Sequence, residues 1–306
     1  MAGIAVVFYV VLASLAVVGA WALTGRHRPS AVDGPMTTVL ASARRRSLTA
    51  IGVAVVIVLV GVFSASFAPQ WLGVGAALAP SVAGAAGLLL YAAMPPRAPA
   101  GTTAHRSASL RRRTAWNVAP TRSLVTLGVV LTLQVALLVG AGITAADDEL
   151  GRPRAFSLTD GVVTSTSSPY PGWFYALPLL VGTALLALAI WVARRRIAST
   201  ASLPGAGLED LDAVWRERSA QVVVGLATAA VSFQLGGTAL FAGTIIRNTT
   251  RNIDAPAGWG AASTVLIVVS LASLLLSVVV LTLAALRAFE LPARVAPAGL
   301  PARSRA

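Results

Sequence analysis

Seven apolar stretches of 20 or more residues, at 2–23, 48–67, 71–94, 123–145, 173–193, 219–245 and 259–286, leave this chain few ways to fold. A helix rises 1.5 Å per residue, so each stretch is long enough to cross the roughly 30 Å hydrocarbon layer of a bilayer. Inside that layer every backbone N–H and C=O must be satisfied within the segment, which makes each stretch a helix. The expected fold class is therefore all-α: a polytopic bundle of seven transmembrane spans, forming one domain over 1–306. Composition agrees, with 56% hydrophobic and 11% charged residues and a mean hydropathy of +0.78. A soluble protein carries about twice that share of charge.

Charge sets the expected direction. All 24 basic residues are arginine, and 20 of them fall in the segments 24–47, 95–122, 194–218 and 287–306. With seven spans these segments share one side of the membrane. Only Arg152, Arg154, Arg247 and Arg251 fall on the other, while the 11 acids divide almost evenly. The arginine-rich side is expected to be cytoplasmic, placing the N-terminus outside and the C-terminus inside. Ala20-Trp21-Ala22 resembles a signal-peptidase site, but no positive residue precedes the first apolar run, and Arg26 and Arg28 follow it. The first span is therefore read as an uncleaved anchor. Trp71, Trp173 and Trp259 open spans at the outer surface, and Trp21 and Trp191 close spans at the inner one. Together with Trp116 and Trp215 they read as an interfacial aromatic belt.

Between the spans, 146–172 is the longest external loop, and Phe156, Leu158, Asp160-Gly161 and Val163 mark a small β-hairpin within it. Residues 208–218, with Leu208, Leu211 and Val214/Trp215 at helical spacing, predict a short cytoplasmic amphipathic helix feeding span six. The segment 95–122 is rich in Pro, Ala and Arg and is expected to be poorly ordered before Trp116, and the tail 288–306 is expected to be disordered. Three inward-to-outward spans begin with Arg-Ser, at 46–47, 122–123 and 218–219. The serines read as helix caps and the arginines as inner-face anchors.

Much chemistry is excluded. There is no cysteine, and the two histidines, His27 and His105, lie in loops. No ionisable residue falls inside a span, which argues against a proton-coupled carboxylate transporter or an intramembrane metalloprotease. No catalytic residue, metal site or cofactor is expected. The high positive charge does not indicate nucleic acid, because membrane topology already accounts for short arginine-rich loops.

What remains inside is neutral and polar. Gln134 and Gln234 fall near the middle of spans four and six, and Ser263, Ser270 and Ser277 recur every seven residues along span seven. These five form the candidate intramembrane polar site. The alternative reading gives the amides to interhelical bonds and the serines to close packing. In span three, Gly75, Ala79, Ala83 and Gly87 lie four apart, as do Gly73, Ala77, Ser81 and Ala85, so this span is expected at the centre of the bundle. Outside, Asp147, Asp148 and Glu149 follow span four, and Arg247 and Arg251 follow span six. These are candidate external ion pairs between two neighbouring loops.

The stretch Ser-Ser-Pro-Tyr-Pro-Gly-Trp-Phe-Tyr-Ala-Leu-Pro-Leu-Leu-Val at 167–181 is followed by an arginine triplet at 194–196, Leu211-Asp212 and Arg218-Ser219. In these features, over about a quarter of its length, the chain resembles small multi-pass membrane proteins of high-G+C bacteria, whose function is unassigned. The resemblance implies a bacterial source and no particular chemistry. The expected role is that of a non-enzymatic integral protein of the bacterial plasma membrane, an accessory or regulatory partner of another membrane protein, in contact with the lipid bilayer. The alternative is a small-solute transporter or channel. A transporter needs a wet cavity at mid-membrane lined by Gln134, Gln234 and the span-seven serines; a scaffold does not.

Overall fold

The computed structural model describes residues 35–67, 72–94, 120–200, 209–251 and 253–290. Six helices follow in order: α1 (Pro35–Phe67), α2 (Val74–Ala93), α3 (Thr121–Ile143), α4 (Trp173–Ser199), α5 (Glu209–Thr250) and α6 (Ala257–Glu290). Each is long and apolar enough to cross a membrane. Between α3 and α4 stand three short strands, β1 (Ala146–Asp147), β2 (Pro153–Asp160) and β3 (Val163–Ser167). This is the helical bundle of a multi-pass membrane protein. The expected first span, 2–23, the segment 95–119 and the tail beyond Glu290 lie outside the described residues.

The hairpin stands where the sequence places it. β2 and β3 pair antiparallel from Phe156↔Ser167 to Asp160↔Val163. Gly161 has a left-handed φ of 57°, which a two-residue hairpin loop requires at its first position. Residues 208–218, by contrast, do not form a separate helix. From Glu209 they are the opening turns of α5, which runs unbroken for 42 residues.

The centre of the bundle is α5, not the predicted third span. α5 packs against all five other helices, and nearly all of its membrane-crossing part is buried. α2 flanks it, between α1, α4 and α5. On α2, Ala79, Ala83 and Gly87 are buried as expected, but Gly75 is exposed. The physical reason is that burial in a bilayer does not follow apolarity. The most apolar of the six helices, α6, is the least buried, because its Val265, Val268, Leu271 and Leu275 face the lipid zone. The least apolar, α5, is the most buried, since lipid rewards neither its small residues nor its polar ones.

α5 and α6 form the tightest pair. They run antiparallel with small residues in the seam. A Cβ at Gly225 would sit 2.9 Å from the Cβ of Ala284. At Gly236 it would sit 2.7 Å from Leu274, and at Gly243 2.9 Å from Ile267. Each glycine is thus the space into which a side chain of α6 fits.

Candidate functional site

Buried polar groups gather at three levels. At mid-depth, Gln134 is completely buried, and neither its amide oxygen nor its nitrogen has a hydrogen-bond partner. Gln234 is buried too, with its Nε2 unpartnered. Helix register brings the two to one depth. Leu138 packs with Tyr175, Ala176 and Leu179, so Gln134, one turn earlier, is level with the stretch around Gly182 and Thr183. Gly182 abuts the Ser81 hydroxyl, and Gly84 abuts Ala230, which brings Ser81 level with Gln234. Of the hydroxyls in this layer, Ser81 is satisfied by the Leu78 carbonyl, Thr183 by that of Leu179 and Thr238 by that of Gln234, whereas Ser232 is buried without a partner.

The span-seven serines do not join this layer. Ser263, Ser270 and Ser277 are buried on the face of α6 that meets the glycine seam. Ser277 donates to the Ala229 carbonyl across the seam at 2.8 Å. Gln234 is two residues from Gly236, about 200° around α5, and so points away from the seam. The five residues grouped by sequence therefore separate onto two sides of one helix. The two sequence patterns are real, but only three-dimensional register shows that they face apart. A crevice of about 70 Å³ is lined by Ala54, Gly84, Leu226, Ala229, Phe233 and Ser277, among others. It is apolar, and Ser277 is the one member of the five that reaches it.

At the hairpin end, Ala141 of α3 packs with Ala242, Ile245 and Ile246 of α5, so spans four and six are neighbours as expected. Phe156 and Tyr170 complete this cluster, with Phe156 edge-on to Trp259 at 4.9 Å. The expected pairing of acids 147–149 with Arg247 or Arg251 is not formed among the described residues. Instead Asp148 binds Arg152 at 3.1 Å and Arg154 more closely still, and accepts the backbone N–H groups of Leu150 and Arg152 at 2.9 Å. The turn at 148–151 presents these donors within the same loop, nearer than another helix can. Burial works against the Asp148 charge. The bonds from Arg154, Arg152 and Leu150 outweigh it and hold the carboxyl far below the usual carboxylate range.

The arginine-rich end contains what the sequence reading missed. Ser47 and Ser219 do not cap helices; both lie well inside them and are buried with unpartnered hydroxyls. Trp215 belongs to the protein interior as well. It is buried against Ala43, its indole N–H unpartnered. Arg46 is 3% exposed; its Nε donates to the Tyr91 carbonyl, and its guanidinium lies 3.8 Å over the Tyr91 ring. Arg216 is fully engaged, with Asp212 and the carbonyls of Ile197 and Thr200. The paired Arg46-Ser47 and Arg218-Ser219 were the available sequence signal, and the capping interpretation obscured it.

Among the described residues no group of three or more His, Cys, Asp or Glu side chains could hold a metal ion. Compared with family models, with curated proteins and with solved structures, the chain matches none.

Proposed function

We propose that this is a non-enzymatic protein of a bacterial plasma membrane, N-terminus outside and arginine-rich end in the cytoplasm, serving as an accessory or regulatory partner of another membrane protein. The 20-to-4 division of arginines supports the orientation. The observation that carries the role is the closed α5–α6 seam. The seven-spaced serines, the best candidate for a polar path, face glycines and a backbone carbonyl in close packing. That is the construction of a rigid scaffold.

One observation favours a second reading. Both amide atoms of Gln134 lack partners at the depth where a small-solute transporter would bind its neutral substrate. Two measurements separate the readings. Mild-detergent purification from native membranes should yield a stoichiometric complex with another membrane protein. In reconstituted vesicles, urea and glycerol should cross no faster than in empty ones. Accelerated, Gln134-dependent flux would replace the scaffold reading with the transporter.

A further inference from the structure

We propose that the arginine-rich end of the bundle is a binding site for a phosphoryl group, built from Arg46, Ser47, Trp215 and Ser219. The argument starts from register. α1 and α5 run parallel, and Ala43 of α1 touches Trp215 of α5. Higher up, Ile51 packs with Val222, and Ala54 and Leu226 close on the same glycine, Gly87. The offset is nearly constant, so Ser47, one turn above Ala43, stands opposite Ser219, one turn above Trp215. Arg46 adjoins Ser47, and Arg216, next to Trp215, binds the carbonyls of Ile197 and Thr200 at the end of α4. Four helices thus converge: α1, α2 through Tyr91, α4 and α5.

The groups that converge there lack partners. The Nη2 of Arg46, the hydroxyls of Ser47 and Ser219 and the indole N–H of Trp215 are all buried without a hydrogen-bond partner. Tyr91 fixes the guanidinium through Nε and the ring face and leaves Nη2 unpartnered. A buried charge is ordinarily paired, because desolvation without a partner is expensive. Among the described side chains the neighbouring acids are committed: Asp212 to Arg216, and Glu217, exposed, to Gln221. A set of N–H and O–H donors around a fixed guanidinium matches an anion with several acceptor oxygens. At the level where the helices leave the hydrocarbon, that chemistry is a phosphoryl group, from a phospholipid headgroup or from free phosphate.

The test uses the full-length protein purified in detergent. Native mass spectrometry measures retention of phosphatidylglycerol, with diacylglycerol as the phosphate-free control, and the unfolding temperature is followed against inorganic phosphate. Retained phosphatidylglycerol without a response to inorganic phosphate identifies the lipid as source. Thermal stabilisation by inorganic phosphate identifies the free anion. Trp215→Phe keeps an aromatic ring and removes the N–H, and should weaken binding about tenfold, as loss of one hydrogen bond to a charged group does. Arg46→Gln should abolish it; if that variant does not fold, Trp215→Phe and Ser219→Ala carry the test. Binding of neither probe, diacylglycerol retained as well as phosphatidylglycerol, or binding unchanged in Trp215→Phe and Ser219→Ala would overturn the proposal.

Discussion

Ser277 of α6 donates its hydroxyl to the backbone carbonyl of Ala229 on α5, 2.8 Å away, in the middle of the seam between the two helices. The carbonyl belongs to a buried residue that has no side chain beyond Cβ, so the two backbones can come close enough for the bond to form. Packing and hydrogen bonding are therefore one feature here.

Filling the seam should separate these helices. Gly236→Val would place atoms where Leu274 and the Ser270 carbonyl already sit. We expect a loss of about 1–3 kcal/mol, as for overpacked cores, seen as a lower unfolding temperature in detergent. Ser277→Ala removes only the bond and should cost about 0.6–1.7 kcal/mol. Leu275→Ala, on the lipid side, should change little. A larger effect at Leu275 than at Gly236 would contradict the packing.

The hairpin is held to the bundle by Phe156, 1% exposed between Tyr170 and Trp259. Phe156→Ala should destabilise its docking by about 3–5 kcal/mol, the range for buried aromatic truncation. Limited proteolysis should then cut between β2 and β3 at rates the wild type does not show, while the helices remain intact.

Acid should loosen the same region. The folded Asp148 carboxyl is held below the unfolded value of about 3.9, so its contribution is complete above about pH 4 and lost as pH falls further. Amide exchange at 148–154, measured downward from pH 7 and corrected for intrinsic rates, should lose protection below pH 4. Asp148→Asn should show the weakened protection already at pH 7. A pH-independent protection pattern would remove Asp148 from this role.

The chain has no cysteine, so topology can be mapped without background. Val162, 98% exposed at the hairpin tip, should react as Val162→Cys with an impermeant thiol reagent in intact cells. Glu217→Cys, exposed at the opposite end, should react only after the membrane is opened. The reverse pattern would invert the assigned orientation.

Much of the framework was legible in the sequence because a bilayer imposes a length. Six of the seven predicted spans coincide with described helices, and Asp160-Gly161 marked the hairpin turn. Arrangement was less legible. The four-residue spacing on α2 identified Ala79, Ala83 and Gly87 as packing residues, yet the same kind of pattern on α5, Gly225, Gly236 and Gly243, is spread over intervals of 11 and 7 and drew no notice. The burial of Gln134 and Gln234 was readable from their position, whereas their separation from the serines depends on which way each helix is turned. Asp148 was assigned to distant arginines although two stood four and six residues away. The buried Ser47 and Ser219 needed the α1–α5 register, which no single helix encodes.

The burial of α5 also bears on how the molecule is assembled. Helices leave the ribosome in order, so α1 to α4 enter the bilayer before the element they all surround. Until α5 arrives, Gly84 of α2 and Ala141 of α3 lack the α5 residues, Ala230 and Ala242, that cover them. When α5 does insert, the Nε2 of Gln234 and the hydroxyl of Ser232 enter a medium that offers them no hydrogen bonds, whereas Thr238 carries its own partner, the Gln234 carbonyl. The half-made chain is therefore expected to be most exposed to proteolysis between synthesis of α4 and the docking of α6.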